Sequence, residues 1–293
     1  MMKESLNLGF IGLGVMGEPM SINLARKSGQ PVHVYDRAAD AVARVVAEGG
    51  QAAASVADVA RQADIVFLSL PSIDQVESVV DEILASPRRP GMIVDMSTSD
   101  VARTRALAAR LREAGIGFVD APVARTKQAA VAGTLMISVG GSETDVARLR
   151  PMLECMGSDV LHCGDTGSGQ ILKILNNMMV FMTVNALAEV LTIGRRSGMD
   201  GEKLFELLSQ GSADSFVLRN HGMKSMAKDE FPEKTFPLTY AIKDASLALA
   251  LADSADFKPH IAQYAHDLMC RARDAGYAQN YHPVTVKLID GRG

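Results

Sequence analysis

Short apolar runs alternate with amphipathic stretches through the first half of the chain. Leu6, Leu8, Phe10 and Ile11 make the first run, which stops at Gly12. A helix is expected from about Pro19 to Lys27, a second strand over Val32–Tyr35 and a helical stretch over Ala41–Glu48. Ile65–Leu70 is continuously apolar apart from Ser69 and stops at Pro71, which reads as a strand buried on both faces. A helix over roughly Ile73–Ala85 and a strand over Met92–Met96 follow. Ser97, Thr98 and Ser99 are expected to cap a helix over about Val101–Ala114. Gly117–Asp120 and Thr134–Val139 read as the fifth and sixth strands. Alternation of this kind predicts an α/β domain on a doubly wound parallel sheet. Ligands of such sheets sit beyond the carboxyl ends of the strands, which gathers Leu70-Pro71, Ser97-Thr98 and Asp120-Ala121-Pro122 around one crevice.

The pattern changes at about Asp165. Gly167-Ser168-Gly169 precedes a helical segment that can run from Gln170 to Arg196, on the order of 40 Å at the helical rise. No strand-like run follows, and Pro232, Pro237 and Pro259 punctuate the remainder. The expected organisation is therefore residues 1–164 as one domain and residues 165–293 as an all-α domain opened by a long interdomain helix.

Where the first strand stops, the chain reads Gly12-Leu13-Gly14-Val15-Met16-Gly17. Gly-x-Gly-x-x-Gly between a strand and a helix is the phosphate turn of a Rossmann domain. Gly12 would allow the tight turn, Gly14 the approach of a pyrophosphate, and Gly17 close packing of helix on strand. The positive end of the helix would then face the phosphates. Asp36 ends the second strand, nineteen residues after Gly17. A carboxylate there accepts from the adenosine ribose hydroxyls and repels a 2′-phosphate, which favours NAD. Arg37 beside it could pair with that phosphate, so NADP stays open.

Composition narrows the picture further. The chain has 293 residues, 47% of them hydrophobic, and a formal net charge of −4, enough for a large core and with no basic footprint for nucleic acid. Ile174–Ala188 is the longest mostly apolar region; it holds three Asn and is read as too short to span a membrane. Cys155, Cys163 and Cys270 lack metal or redox spacing, and folding starts by residue 6, so a reduced, cytoplasmic protein is expected. His33, His260, His266 and His282 are not spaced as ligands, and no metal is expected. Met178, Met179 and Met182 read as packing residues.

Chemistry is expected where the long helix begins. Lys173 and Asn177 are four apart and share a helical face. A partly desolvated lysine beside a nicotinamide can give a proton to a carbonyl oxygen, and an asparagine can orient it or a hydroxyl. Taken alone, the pair is also what an ordinary surface helix carries. Ile171, Leu172, Ile174 and Leu175 around it are apolar, which makes a buried setting the better reading.

With these residues in place, the chain resembles the β-hydroxyacid dehydrogenase family over essentially its whole length. The resemblance rests on Gly12-Leu-Gly14-Val-Met-Gly17-x-x-Met20, on Asp120-Ala-Pro-Val123 with Gly133-Thr134-Leu135, on Gly167-x-Gly169-x-x-x-Lys173-x-x-x-Asn177, and on Lys243-Asp244-x-x-Leu247-Ala248. It implies that Lys173 is the acid/base, that Asn177 lies near the substrate, and that Leu70, Pro71, Thr98 and Lys243 help hold the cofactor. Asn176 and Ser97 are expected at the substrate with Asn177. It also implies a homodimer or homotetramer and a small anionic aldehyde or hydroxy acid as substrate. One loop departs from the family pattern. Where Ser-Gly-Gly is usual after Val123, this chain reads Ala124-Arg125-Thr126, and Ala129 replaces a further glycine. The loop resembles that of the sulfolactaldehyde reductases, with Ala124 in place of their glycine. That likeness implies that Arg125 and Thr126 hold a sulfonate. An Arg125 that points to solvent or pairs with an acid across the domain interface is the competing reading.

Overall fold

The computed structural model describes residues 6–233 and 235–292. Two compact units divide the chain, one running through Lys173 and the other starting at Ile174.

The first unit is built on a sheet whose parallel part is ordered β3-β2-β1-β4-β5-β6. Its strands are β1 (Leu8–Ile11), β2 (Val32–Tyr35), β3 (Gln51–Ala52), β4 (Ile65–Leu68), β5 (Met92–Asp95) and β6 (Gly117–Asp120). Every residue of β1, β4 and β5 is buried, as expected of central parallel strands covered on both faces. Side chains alternate between two cores. Leu8, Phe10, Ile65, Phe67, Met92 and Val94 enter one, where the rings of Phe10 and Phe67 stack 6.2 Å apart. Ile11, Val66, Leu68 and Ile93 enter the other. The strand order reverses between β1 and β4, which puts the ends of those two strands at the topological switch point.

Beyond β6 the sheet is no longer purely parallel. β7 (Val123–Ala124) and β8 (Leu135–Gly140) pair antiparallel, and β8 meets β6 antiparallel through Asp120 and Gly140. β9 (Gly157–Gly164) then runs parallel to β8 with two register shifts. The doubly wound parallel sheet is thus present with an antiparallel extension. The hydrophobic pattern left out β3, β7 and β9, because two are only two residues long and β9 has a single buried position. It also left out α3 (Val56–Gln62) and the helices over Lys127–Ala132 and Glu143–Leu153. The remaining helices of this unit are α1 (Gly17–Lys27), α2 (Ala39–Val46), α4 (Ile73–Ala85), α5 (Val101–Glu113), α6 (Lys127–Ala132) and α7 (Glu143–Leu153). The cap of α5 differs from expectation. Asp100, not Ser97–Ser99, accepts from the Arg103 N–H at 2.9 Å.

α8 (Ser168–Arg196) begins in the first unit and supplies the first helix of the second. In the second unit Phe181, Val184, Ala188 and Leu191 of α8 pack with Phe205 of α9 (Gly201–Leu208). Leu238 and Ala241 of α10 (Leu238–Ser254) and Met269 of α11 (His260–Ala272) complete that core. A π-helical segment over Leu218–Met226 and short turns over residues 282–289 close it. α8 corrects one expectation. By length and composition it is able to cross a membrane, contrary to the shortfall read from Ile174–Ala188. Its buried Asn185 and Thr192 donate to the helix's own Phe181 and Ala188 carbonyls inside a protein core.

Candidate active site

The glycine turn has the features a dinucleotide needs. Gly12 sits at φ +95°, and a Cβ there would overlap the Ser69 carbonyl. Gly17 lies so close to the Gly12 carbonyl that no side chain fits. Gly14 is the opposite case. It is exposed, and a Cβ on it would meet nothing within 4 Å, which leaves the backbone open to a ligand. The N-cap of α1, Met16, offers no side-chain acceptor, so the helix start presents uncapped N–H groups. Val15 is exposed beside it. The Asp36 carboxylate accepts from Leu13 N–H at 2.7 Å and from Ala38 N–H at 2.8 Å, which ties the end of β2 to the turn. Arg37 is exposed next to it. The set fits a nicotinamide dinucleotide.

The loops after β4 and β5 are tied together by buried groups. Ser97 is 4% exposed; its hydroxyl accepts from Leu70 N–H at 2.9 Å, and its N–H donates to Asp95 at 2.9 Å. Ser99 donates its hydroxyl to the other Asp95 oxygen at 2.9 Å. Ser97 was expected at the substrate; in this geometry its hydroxyl is engaged in joining the two loops. Pro71 is exposed and Thr98 half-buried.

Asp120, at the end of β6, is fully buried and accepts from Gly167 N–H at 2.6 Å and Gln170 N–H at 2.9 Å. Burial pushes its carboxyl up to about 6, the neighbouring Asp95 adds to that, and the two backbone N–H groups pull it down. Lys173 stands one turn further along α8 and is half-buried.

In the second unit Asn177 is 7% exposed and donates its amide to Asp244 at 2.7 Å. Its Oδ1 accepts from Asn176 at 3.1 Å. Lys243 is half-buried and its ammonium lies 3.0 Å from the other oxygen of Asp244. Asn176, Asn177 and Lys243 therefore meet around one buried carboxylate. Asp244 was legible only as half of a Lys-Asp pair that an exposed helix could also carry. Gln170 was missed altogether, although a glutamine three residues before Lys173 in an apolar run was a signal to follow.

Arg125 has φ +86°, the left-handed backbone that glycine favours. Its guanidinium pairs with Asp159 at 2.7 Å and donates to Ser158 Oγ at 2.9 Å and the Thr134 carbonyl at 2.6 Å. Arg125 is exposed, and the Asp159 side chain is 45% exposed on a half-buried residue. Thr126 caps α6 by accepting from Ala129 N–H. The arginine is paired with an acid, as in the competing reading, but Asp159 belongs to the same unit and not to the other domain. A cleft of about 530 Å³ in the same unit is lined by Arg105, Arg112, Phe118, Asp145 and Thr166 and includes none of the expected site residues.

Comparison with known proteins agrees with this geometry. Residues 7–164 match the family described as the NAD binding domain of 6-phosphogluconate dehydrogenase. Residues 167–289 match the family described as NAD-binding of NADP-dependent 3-hydroxyisobutyrate dehydrogenase. The chain is 38% identical to 2-(hydroxymethyl)glutarate dehydrogenase of Eubacterium barkeri, over 85% of this chain and 83% of that one. It is 35% identical to the mitochondrial 3-hydroxyisobutyrate dehydrogenase of Rattus norvegicus, over 95% and 85%. The solved Mycobacterium tuberculosis 3-hydroxyisobutyrate dehydrogenase with L-serine superposes with a TM-score of 0.89 at 28% identity, covering 97% of this chain and 99% of that one. An open glycine turn, two matched family regions and similarity to hydroxyacid dehydrogenases lead to one assignment: this chain belongs to the 3-hydroxyisobutyrate dehydrogenase-like family of NAD(P)-dependent hydroxyacid dehydrogenases.

Proposed function

We propose that the chain interconverts a short anionic 3-hydroxy acid and its semialdehyde, with 3-sulfolactaldehyde reduction as the leading case. Arg125 carries this reading. An exposed guanidinium on a backbone conformation that suits glycine is a side chain held in place at a cost in backbone strain. Its exposed ion pair with Asp159 contributes little to stability, so an incoming sulfonate can take over the guanidinium. Arginine presents a fork of N–H donors that matches tetrahedral oxyanions. Thr126 and its neighbours lie at the start of α6 on the same loop.

The reduced nicotinamide supplies a hydride to the carbonyl carbon when bound. The Lys173 ammonium donates a proton to the carbonyl oxygen, and in the reverse direction the amine takes the hydroxyl proton. Asn177, fixed between Asn176 and Asp244, orients the substrate oxygen. Gly12, Leu13, Gly14, Val15, Met16 and Gly17 bind the pyrophosphate, with Leu70, Pro71, Thr98 and Lys243 as further cofactor contacts. Asp36 favours NAD by repelling a 2′-phosphate.

A carboxylate substrate is the second reading, favoured by the Arg125–Asp159 pair and by similarity to dehydrogenases of 2-(hydroxymethyl)glutarate and 3-hydroxyisobutyrate. NADH oxidation with 3-sulfolactaldehyde beside tartronate, methylmalonate and succinate semialdehydes separates the two. Preference for the sulfonate is expected; preference for a carboxylate establishes the second reading. We further propose a cytoplasmic homo-oligomer. Unpaired Cys155, Cys163 and Cys270 support the compartment. Exposed Leu175, Met179 and Ile193 on α8 support the assembly, which light scattering of the purified protein checks.

A further inference from the structure

We propose that Gln170, together with Asp120, is a positioning residue that sets Lys173 against the ends of β4 and β5. The inference rests on the reading of Lys173 as acid/base. Gln170 is fully buried, and both polar atoms of its side chain are engaged. Its Oε1 accepts from Ser99 N–H at 3.0 Å, its Nε2 donates to the Ser97 carbonyl at 2.8 Å, and its N–H donates to Asp120. Ser97 in turn accepts from Leu70 N–H. The Gln170 side chain therefore joins the loop after β5 to the first turn of the helix that carries Lys173, and the Ser97 hydroxyl ties that loop to the one after β4.

Asp120 holds the same turn from the other side. A helix start leaves four N–H groups without intrahelical partners, and Asp120 takes two N–H groups at this one, those of Gly167 and Gln170. The turn cannot slide. A Cβ at Gly169 would overlap the Ser138 carbonyl and crowd Asp120, and one at Gly140 would strike Asp120 from the neighbouring strand. Lys173 follows Gln170 by three residues, one turn, so its Cα inherits whatever position this bracket imposes. A proton donor must reach its target oxygen within hydrogen-bond distance, and a displacement of about 1 Å at such a site can cost about 100-fold in rate. A surface-held lysine has no need of this arrangement; a lysine that must meet a substrate beside two cofactor loops does.

The test replaces Gln170 by methionine, which has similar length and none of the hydrogen bonds, and Asp120 by asparagine. Wild type, Q170M, D120N and K173A are compared for NADH affinity by fluorescence, for turnover of the semialdehyde that wild type reduces fastest, and for hydrogen exchange of residues 167–175. In Q170M, kcat is expected to fall about 100-fold with the Kd for NADH and KM within about threefold of wild type, and exchange to rise in that segment alone. D120N should show the same split where it folds; Q170M carries the test where it does not. Wild-type kcat in Q170M, or a loss of NADH affinity in proportion to kcat, overturns the inference. K173A separates the two ideas. If K173A is inactive and Q170M turns over normally, only the positioning role fails. If K173A turns over normally, the lysine reading fails and the inference falls with it.

Discussion

The first turn of α8 and the loop from Ala124 to Gln128 both carry candidate site residues, and they are built in opposite ways. At the helix start every polar group that holds the turn is buried: Asp120, Gln170, Ser97 and Ser99 are all under 5% exposed. In the loop Arg125, Thr126, Lys127 and Gln128 are exposed. The turn has glycines where no side chain fits, and the loop has an arginine where a glycine would be relaxed. Buried, mutually satisfied hydrogen bonds define one arrangement, whereas an exposed ion pair is easily exchanged. Under the proposed function, the difference gives proton transfer to a rigid element and substrate choice to an adjustable one.

Removing Lys173 should break the rigid side outright. K173A is expected to lower kcat by about 10³-fold with NADH binding retained, in stopped-flow and fluorescence assays. Turnover near the wild-type rate would take Lys173 out of the mechanism.

The comparison extends to acid. His221 in the second unit is pushed down to about 4 by burial, and its Nδ1 lies 2.5 Å from the Tyr281 hydroxyl. Fully buried His282 is lowered as well. A histidine depressed on folding contributes stability that is complete above its unfolded value of 6.5 and is lost as pH falls toward 4, about 3 kcal/mol for His221. Asp120, raised to about 6, has the opposite sign: its contribution is complete below 3.8 and is lost as pH rises through about 6. Between pH 7 and pH 4.5, hydrogen exchange should therefore show residues 218–226 and 277–285 losing protection before residues 117–120 and 167–173. Equal loss in both would contradict these burial effects.

Smaller effects sharpen the adjustable side. R125G is expected to weaken 3-sulfolactaldehyde by about 10–100-fold in kcat/KM, the loss of hydrogen bonds to a charged group, and a carboxylate semialdehyde far less. D36A should narrow the preference for NADH over NADPH by about tenfold, read from the ratio of kcat/KM values. An unchanged ratio would assign the discrimination elsewhere.

Much of the rigid side was legible in the chain. Gly12, Gly14 and Gly17 announce a phosphate turn because only glycine meets those steric demands, and the apolar runs of β1, β4 and β5 announce strands buried on both faces. The long helix was legible too, although its true start is Ser168, where Asp120 takes up the backbone N–H groups. What stayed hidden depends on partners distant in sequence. Gln170 matters through Ser97 and Ser99, and Asn177 through Asp244, and periodicity carries no trace of either pairing. Asp159 was invisible for the same reason, so Arg125 stood out without the acid that holds it.

The most direct test measures kcat/KM for 3-sulfolactaldehyde and for methylmalonate semialdehyde in wild type, K173A and R125G. K173A is expected to lower both values alike, while R125G lowers the sulfonate value at least about tenfold more than the carboxylate value. An R125G protein that loses both substrates equally, or a K173A protein that keeps either, would contradict the division between a fixed proton donor and an exchangeable headgroup reader.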